Sequence, residues 1–239
     1  MSQQTANYSI QKNIELSPYN TLHVNAIAHS FVDITSAGQL QQILDDYRGS
    51  RSDLFVLGGG SNVLFVDDFK GLMLHIAIMG KEIVREDEDF VWLNIGAGEN
   101  WHHAVRYCVA EGWGGIENLS LIPGTVGAAP IQNIGAYGVE LEEVFESLEA
   151  VEMATGKRKT FNREDCRYGY RDSIFKNELK DRYAVTHVTL KLSKHPVINS
   201  SYGAISKELE NRGITEPSIR DISEVVIAIR NSKLPDPDD

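Results

Sequence analysis

The chain has 239 residues, a formal net charge of −11, 42% hydrophobic residues and 24% charged residues. This composition is typical of a globular protein with a buried core rather than of a disordered one. The acidic excess argues against general binding to nucleic acid or to anionic membranes. No run approaches the roughly 18 consecutive apolar residues of a membrane helix, and the polar N-terminus lacks the apolar core of a signal peptide. Cys108 and Cys166 stand alone in the sequence, which fits a reducing compartment, so we expect a cytoplasmic protein.

The first 78 residues predict a small mixed α/β subdomain, which we place at 18–78 after a polar tail at 1–17. Apolar residues at helical spacing between 40 and 47 predict a helix that stops before Gly49. Four short runs of β-favouring residues predict strands, and they lie at 31–34, 54–57, 63–66 and 72–76. The chain is therefore predicted to begin with the order β-α-β-β.

A second α+β subdomain is predicted at 79–232. An alternating run at 91–95 predicts a half-buried strand. Apolar residues then recur at helical spacing from Trp101, and Gly112 follows as a typical C-terminal cap. The turn at Thr155-Gly156 predicts a β-hairpin.

The predicted subdomain ends with one strand, one helix and a linker. Residues 183–192 alternate as a strand does. Ser218 and Asp221 form a capping-box pattern, which predicts that a helix begins there. The final segment at 233–239, KLPDPDD, is typical of a linker.

The run Gly58-Gly59-Gly60-Ser61-Asn62 follows the predicted strand at 54–57. A dinucleotide-binding G-x-G-x-x-G turn passes from a strand into a helix. Here β-favouring residues follow the glycines, so that interpretation fails. Two interpretations stay open: an ordinary tight turn, or a nest of backbone N–H groups that binds an anion.

Residues 122–138, IPGTVGAAPIQNIGAYG, are rich in glycine, alanine and proline. Small residues let a backbone approach a flat ligand closely, and Gln132 and Asn133 offer amide groups to the edge of a heterocycle. A purely structural loop is the alternative, although long loops in compact domains usually carry function. Adjacent His102 and His103 would point about 100° apart on a helix, so we expect no metal site there.

Five motifs occur in order: GGGSNVLF at 58–65, GAGENWH at 96–102, IPGTVGAAPIQNIGAYG at 122–138, CRYGYRDSIFK at 166–176 and KLPDP at 233–237. Together they closely resemble the UDP-N-acetylenolpyruvoylglucosamine reductase (UDP-N-acetylmuramate dehydrogenase) family, in the subtype with a YRDSIFK-like loop. The resemblance covers about residues 18–237. It implies an α+β fold, namely an FAD-binding domain of the vanillyl-alcohol-oxidase (PCMH-like) type with FAD between two α+β subdomains.

The resemblance also implies which residues bind FAD. The first glycine run would wrap the pyrophosphate, and the 122–138 loop would hold the flavin and the adjacent phosphate. Many relatives carry serine where this chain has Ala128 and Ala129, so a side-chain hydrogen bond to the cofactor would be lost while backbone contacts remain. The implied cofactor-binding residues are Gly58, Gly59, Gly60, Ser61, Asn62, Pro123, Gly124, Gly127, Ala128, Ala129, Ile131, Gln132, Asn133, Gly135 and Tyr137.

The function that the resemblance implies is reduction of UDP-N-acetylglucosamine enolpyruvate to UDP-N-acetylmuramate by a monomer that uses FAD, with NADPH as reductant. Arg171 matches the catalytic arginine of the family, whose cation would stabilise charge that develops beside the substrate carboxylate. An ion pair with an acid such as Asp172 is the alternative. Tyr202 and Lys233 match positions that contact the UDP-sugar. Their alternatives are packing for Tyr202 and interaction with a helix dipole for Lys233.

The family continues past KLPDP into a substrate domain that supplies a proton-donating serine and a C-terminal glutamate. Neither segment occurs in these 239 residues, so 233–239 is interpreted as the start of the linker to that domain. A non-catalytic FAD-binding fragment therefore stays open as an alternative. A flavin oxidase of the same superfamily is a further alternative, which the YRDSIFK and KLPDP matches disfavour.

Overall fold

The computed structural model describes residues 8–233. Its strands are β1 (Gln11–Glu15), β2 (Ile27–Ile34), β3 (Leu54–Leu57), β4 (Phe69–Ile76), β5 (Lys81–Glu86), β6 (Phe90–Gly96), β7 (Gly135–Ala136), β8 (Val139–Glu140), β9 (Phe145–Glu152), β10 (Arg158–Asn162) and β11 (Tyr183–Ser193). Its α-helices are α1 (Ala37–Asp46), α2 (Trp101–Ala110), α3 (Arg163–Cys166), α4 (Gly203–Asn211) and α5 (Ile219–Asn231). Each of these helices is too short or too polar to cross a bilayer.

The first sheet has the strand order β1-β2-β4-β3. Strands β2 and β3 both run parallel to β4, whereas β1 pairs antiparallel with β2. Helix α1 follows β2 and precedes β3, as expected because parallel strands need a crossover connection. The hydroxyl of Ser36 accepts a hydrogen bond from the backbone N–H of Gln39 and caps this helix.

The second sheet has the strand order β10-β9-β11-β6-β5, and all of its pairs are antiparallel. Its central strand, β11, has 11 residues. Helix α2 follows β6, and the side chain of Asn100 caps it by accepting from the N–H of His103. The buried face of α2 contains Trp101, Val105 and Cys108.

A continuous cluster of buried apolar side chains joins the two sheets. It includes Val32 and Ile34 of β2 together with Leu93 of β6 and Val188 of β11. Phe31 alternates with these β2 residues, so it lies on the opposite face of the first sheet, where it packs in a smaller cluster. The inner faces of both sheets therefore share one hydrophobic core.

Helices α4 and α5 pack on each other around a third cluster of buried side chains. Three contacts attach α5 to the rest of the chain or fix its start. The predicted capping box of Ser218 and Asp221 is present. The buried hydroxyl groups of Ser120 and Ser223 lie 2.8 Å apart, and Nε of Arg230 donates to the carbonyl of Leu121 at 3.1 Å.

The predicted α+β class is confirmed, and so are the helix that ends before Gly112 and the hairpin of β9 with β10. The strand predicted at 63–66 is wrong, because this segment belongs to a loop between β3 and β4 and pairs with no described strand. Val63 and Phe65 pack inward against the smaller cluster, whereas Leu64 is 62% exposed and Val66 is 89% exposed. Alternation there reflects one-sided packing of a loop.

The polar tail expected at 1–17 also needs correction. Residues 1–7 lie outside the described residues, but Gln11–Glu15 form an edge strand, and Leu16 is fully buried. Four of the five side chains of β1 are exposed. An edge strand with few buried side chains lacks the alternation of apolar and polar residues by which strands are recognised in sequence. The sequence pattern alone therefore could not reveal β1.

Candidate functional site

The two glycine-rich segments singled out in the sequence meet in space. A Cβ atom on Gly59 would lie 3.3 Å from the Cα of Gly124, and one on Gly58 would lie 2.8 Å from Oγ1 of Thr125. The same two segments are also linked by a hydrogen bond, in which Nδ2 of Asn62 donates to Oε1 of Gln132 at 3.4 Å. Side chains at the glycine positions would close this junction, so its shape depends on the absence of Cβ atoms.

A cavity of about 740 Å³ extends from this junction between the two sheets. The first sheet contributes residues of β3, the second contributes Ala184 and Val185 of β11, and the 122–138 loop contributes Gly127, Ala128 and Ile131. A volume of this size lined mainly by apolar side chains is typical of a cofactor site. Four charged residues also line it, namely Arg51, Glu152, Asp181 and Arg182.

A smaller cavity of about 130 Å³ also lies along the 122–138 loop. Thr125, Ala128 and Ile131 line both cavities. The smaller cavity is also lined by predicted cofactor residues, namely Ser61, Asn62, Pro123, Ala129 and Gln132. The two cavities therefore adjoin along one loop, which suits an elongated ligand with polar groups near the glycine junction.

The 122–138 loop is held by local backbone geometry. Residues Val126–Gln132 form a 3-10 helix that contains Pro130 and ends at Asn133, which is left-handed with φ 42°. Gly127 packs against Ala97, and a Cβ atom on it would lie 2.5 Å from the Cβ of Ala97. Tyr137 and Leu121 also have positive φ, of 52° and 59°. Strained backbone of this kind clusters at functional sites.

Asn133 differs from the expectation that its amide contacts a heterocycle. The residue is fully buried. Its Nδ2 donates to Oε2 of Glu140 at 2.9 Å and to the carbonyl of Gly169 at 3.1 Å, while its Oδ1 accepts from the N–H of Glu142 at 3.1 Å. All of these hydrogen bonds are made within the protein, so the Asn133 side chain holds the loop in shape. Of the two amides, Gln132 is the one that lines the smaller cavity.

Arg171 lies beside the C-terminal part of this loop rather than among the cavity-lining residues. Its Nη1 donates to Oε1 of Glu140 at 3.1 Å, and its Nη2 donates to the carbonyl of Gly135. The ion pair of Arg171 is thus formed with Glu140, while Asp172 accepts from Asn177. The Tyr170 ring lies 5.0 Å from the guanidinium and is 83% exposed.

Ser173 connects the Arg171 segment to the predicted flavin loop. Its hydroxyl donates to the carbonyl of Ile131 at 2.6 Å, and the residue is 1% exposed. Phe175, two residues on, lines the large cavity and packs on the ring of Phe161 at 5.0 Å. These positions belong to the YRDSIFK motif, but sequence reasoning assigned a role to Arg171 alone. Sequence reasoning also missed Thr125 and Glu140. Each contacts a residue far away in sequence, Gly58 for Thr125 and Arg171 for Glu140, so no local pattern marks them.

The predicted substrate residues lie apart from the cavities. The ring of Tyr202 packs edge-on against the ring of Tyr137 with centroids 5.3 Å apart, and Tyr202 is 49% exposed. Lys233 is exposed and lies two residues after the end of α5, where its N–H donates to the carbonyl of Arg230. Tyr202 therefore touches the predicted flavin loop, whereas Lys233 is placed beside neither cavity.

Burial shifts the pKa of two titratable side chains of α2, His102 and Cys108. Burial, followed by the charges of Arg106 and His103, lowers the pKa of His102, and Nδ1 of His102 accepts from the N–H of Leu121 at 3.0 Å. Burial raises the pKa of the Cys108 thiol to about 12. Within residues 8–233, no three His, Cys, Asp or Glu side chains are grouped to hold a metal ion.

Comparisons with known proteins agree with this geometry. Residues 28–162 match a family model described as an FAD binding domain. The chain is 51% identical over 228 residues to the UDP-N-acetylenolpyruvoylglucosamine reductase of Amoebophilus asiaticus, covering 95% of this chain and 67% of the relative. This chain belongs to the UDP-N-acetylenolpyruvoylglucosamine reductase family. The enzyme of that name from Flavobacterium johnsoniae is 48% identical over 229 residues, with 95% of this chain and 67% of the relative covered.

The chain thus spans about two thirds of the length of these reductases. A crystal structure of the reductase from Thermus caldophilus has the same fold, with a TM-score of 0.60, 21% identity, and coverage of 95% of this chain and 96% of that chain. The family, the α+β FAD-binding fold and the class of cofactor that the motifs predicted are confirmed. The roles of individual residues stay predictions.

Proposed function

We propose that this chain binds FAD and uses NADPH to reduce UDP-N-acetylglucosamine enolpyruvate to UDP-N-acetylmuramate, a precursor of peptidoglycan. The observation that carries the proposal is the pair of apposed glycine loops at the end of a 740 Å³ apolar cavity. This geometry occurs in a chain 51% identical to a protein named for that reductase activity.

The residues at the glycine junction fit the pyrophosphate and flavin of FAD. Gly58 and Gly59 leave room that a Cβ atom would fill, and their backbone N–H groups suit an anion. Gln132 and Asn62 supply amide groups at the mouth. The apolar cavity walls suit flat aromatic rings and exclude water from them. Bound FAD supplies hydride transfer between NADPH and the substrate.

The role of Arg171 in this proposal is electrostatic. Hydride addition to the enol ether places negative charge on the carbon that bears the carboxylate, and a fixed cation beside it lowers the barrier. Arg171 is held by Glu140 and Gly135 at the border of the predicted flavin loop. The UDP-sugar is proposed to contact Tyr202, which packs on Tyr137 of that loop, and Lys233. We further propose that the chain acts in the cytoplasm as a monomer.

The test follows flavin absorbance of the FAD-loaded chain without oxygen, with NADPH added first and the enolpyruvyl UDP-sugar second. Bleaching followed by recovery is the expected result. Bleaching without recovery would favour the alternative of an FAD-binding fragment without turnover. A chain that takes up no FAD would overturn the proposal entirely.

A further inference from the structure

Glu140 contacts the guanidinium of Arg171, although the proposed reaction assigns it no role. The two charged groups lie 3.1 Å apart, with 27% of the Glu140 side chain and 38% of the Arg171 side chain exposed. Glu140 belongs to β8 and is paired with Gly135 of β7. The carbonyl of that same Gly135 accepts from Nη2 of Arg171. A two-stranded ribbon therefore presents both acceptors together.

The second oxygen of Glu140 is also occupied. It accepts from Nδ2 of Asn133 at 2.9 Å, and the same amide donates to the carbonyl of Gly169, two residues before Arg171. Asn133 is fully buried. Glu140 is consequently fixed by a rigid neighbour at one oxygen and holds the arginine with the other.

This arrangement leaves one side of the guanidinium available. Arginine has five N–H donors. Nη1 has acceptors in Glu140 and in the carbonyl of Asn133, and Nη2 has one in Gly135. Nε–H and one Nη2 hydrogen have no acceptor within residues 8–233. Two donors of an arginine fork are what a carboxylate binds in a bidentate pair.

We infer that Glu140 is the positioning residue of Arg171, an inference that rests on the proposed function. Its carboxylate holds Nη1 so that the remaining two donors keep a fixed direction for the substrate carboxylate. Donors that are oriented before the reaction need no reorganisation as charge develops. Glu140 acts through Arg171 and does not itself touch the substrate.

The experiment compares Glu140→Gln with Glu142→Gln in the FAD-loaded chain. Both changes remove one negative charge from the same turn, but Glu142 pairs with Arg163 at 3.5 Å. Glutamine at 140 cannot accept from both Arg171 and Asn133 with its amide group. The Asn133 amide is also held by Gly169 and Glu142, so the glutamine oxygen should stay with Asn133 and the contact with Arg171 should be lost. The first readout is the rate at which phenylglyoxal labels Arg171, measured by peptide mass spectrometry. The second is the rate at which the enolpyruvyl UDP-sugar reoxidises NADPH-reduced flavin.

In Glu140→Gln we expect severalfold faster labelling of Arg171 and reoxidation about tenfold to a hundredfold slower. FAD affinity and the rate of reduction by NADPH should match wild type, because neither depends on the orientation of Arg171. Glu142→Gln should behave as wild type in every assay.

Unchanged labelling in Glu140→Gln would overturn the inference, and so would faster labelling with wild-type reoxidation. If the wild-type chain is bleached by NADPH but not reoxidised by the sugar, the proposed function fails instead. The labelling rates of the two variants then decide alone whether Glu140 positions Arg171.

Discussion

Gly60 faces the main-chain carbonyl of Tyr19 so closely that a Cβ atom at residue 60 would overlap that oxygen. Gly60 has φ 61°, and its own carbonyl accepts from the N–H of Thr21 at 3.4 Å. Asn20 is 3% exposed and bonds through its side chain to backbone groups of its own turn. This N-terminal turn therefore packs directly against the first glycine loop and supports its conformation.

Replacing Gly60 by alanine should therefore weaken FAD binding as well as folding. Positive φ alone costs an alanine about 1–2 kcal/mol, and the overlap with Tyr19 would displace the loop. Gly80→Ala is the control, because Gly80 also has positive φ but a Cβ atom there meets nothing within 4 Å. FAD titration and urea unfolding measure the two effects. Equal losses of FAD affinity in both variants would contradict the support role.

A large side chain at Ala128 should block the cofactor without unfolding the chain. Ala128 is exposed, yet it lines both cavities. Ala128→Trp should reduce FAD affinity at least about tenfold, while the melting temperature of the FAD-free chain changes little, since surface substitutions usually alter stability by less than about 0.5 kcal/mol. Ala128→Ser should bind FAD normally. Full FAD binding by the tryptophan variant would mean that the cofactor occupies another site.

The buried hydroxyl pair that anchors α5 should respond unequally to its two deletions. Ser120 donates to the carbonyl of Glu117 at 2.7 Å, which leaves Ser223 as the donor to Ser120. Ser120→Ala leaves the buried Ser223 hydroxyl without an acceptor and should lower the free energy of unfolding by about 1–3 kcal/mol. Ser223→Ala leaves Ser120 bonded to Glu117 and should lower it by about 1 kcal/mol. Urea unfolding of both variants and the double variant measures the coupling between them. Strictly additive losses would argue against the contact.

Glu99 should make the stability of the chain sensitive to acid. Burial disfavours its charged form, but hydrogen bonds from Lys81 and from the N–H of Gly80 outweigh burial and lower its pKa below the ordinary 4.5. A carboxyl group with a lowered folded pKa stabilises the fold above its unfolded pKa, and this contribution disappears as pH falls through the folded pKa. The difference in unfolding free energy between wild type and Glu99→Gln should thus hold steady near neutral pH and shrink as the pH falls below 4.5 toward the lower folded pKa. A constant difference would contradict this assignment.

Much of the site could be predicted because it depends on residue types that are uncommon together. Glycine at 58–60 and the small residues of 122–138 indicate close backbone approach wherever they occur, and the structure brings both segments to one cavity. Glu140 and Ser173 could not be found in this way. A glutamate or a serine is common throughout protein sequences, and the importance of these two comes from contacts with residues 31 and 42 positions away in sequence.

The core shared by the two sheets determines how the protein unfolds locally. Because side chains from β2 and β11 pack in one cluster, the opposing walls of the large cavity belong to a single cooperative unit. Local unfolding of one sheet would expose the core of the other, so the free energy of unfolding either wall alone should be high. Slow amide hydrogen exchange should therefore extend across both sheets, and cofactor release through this cavity would have to proceed by way of its loops.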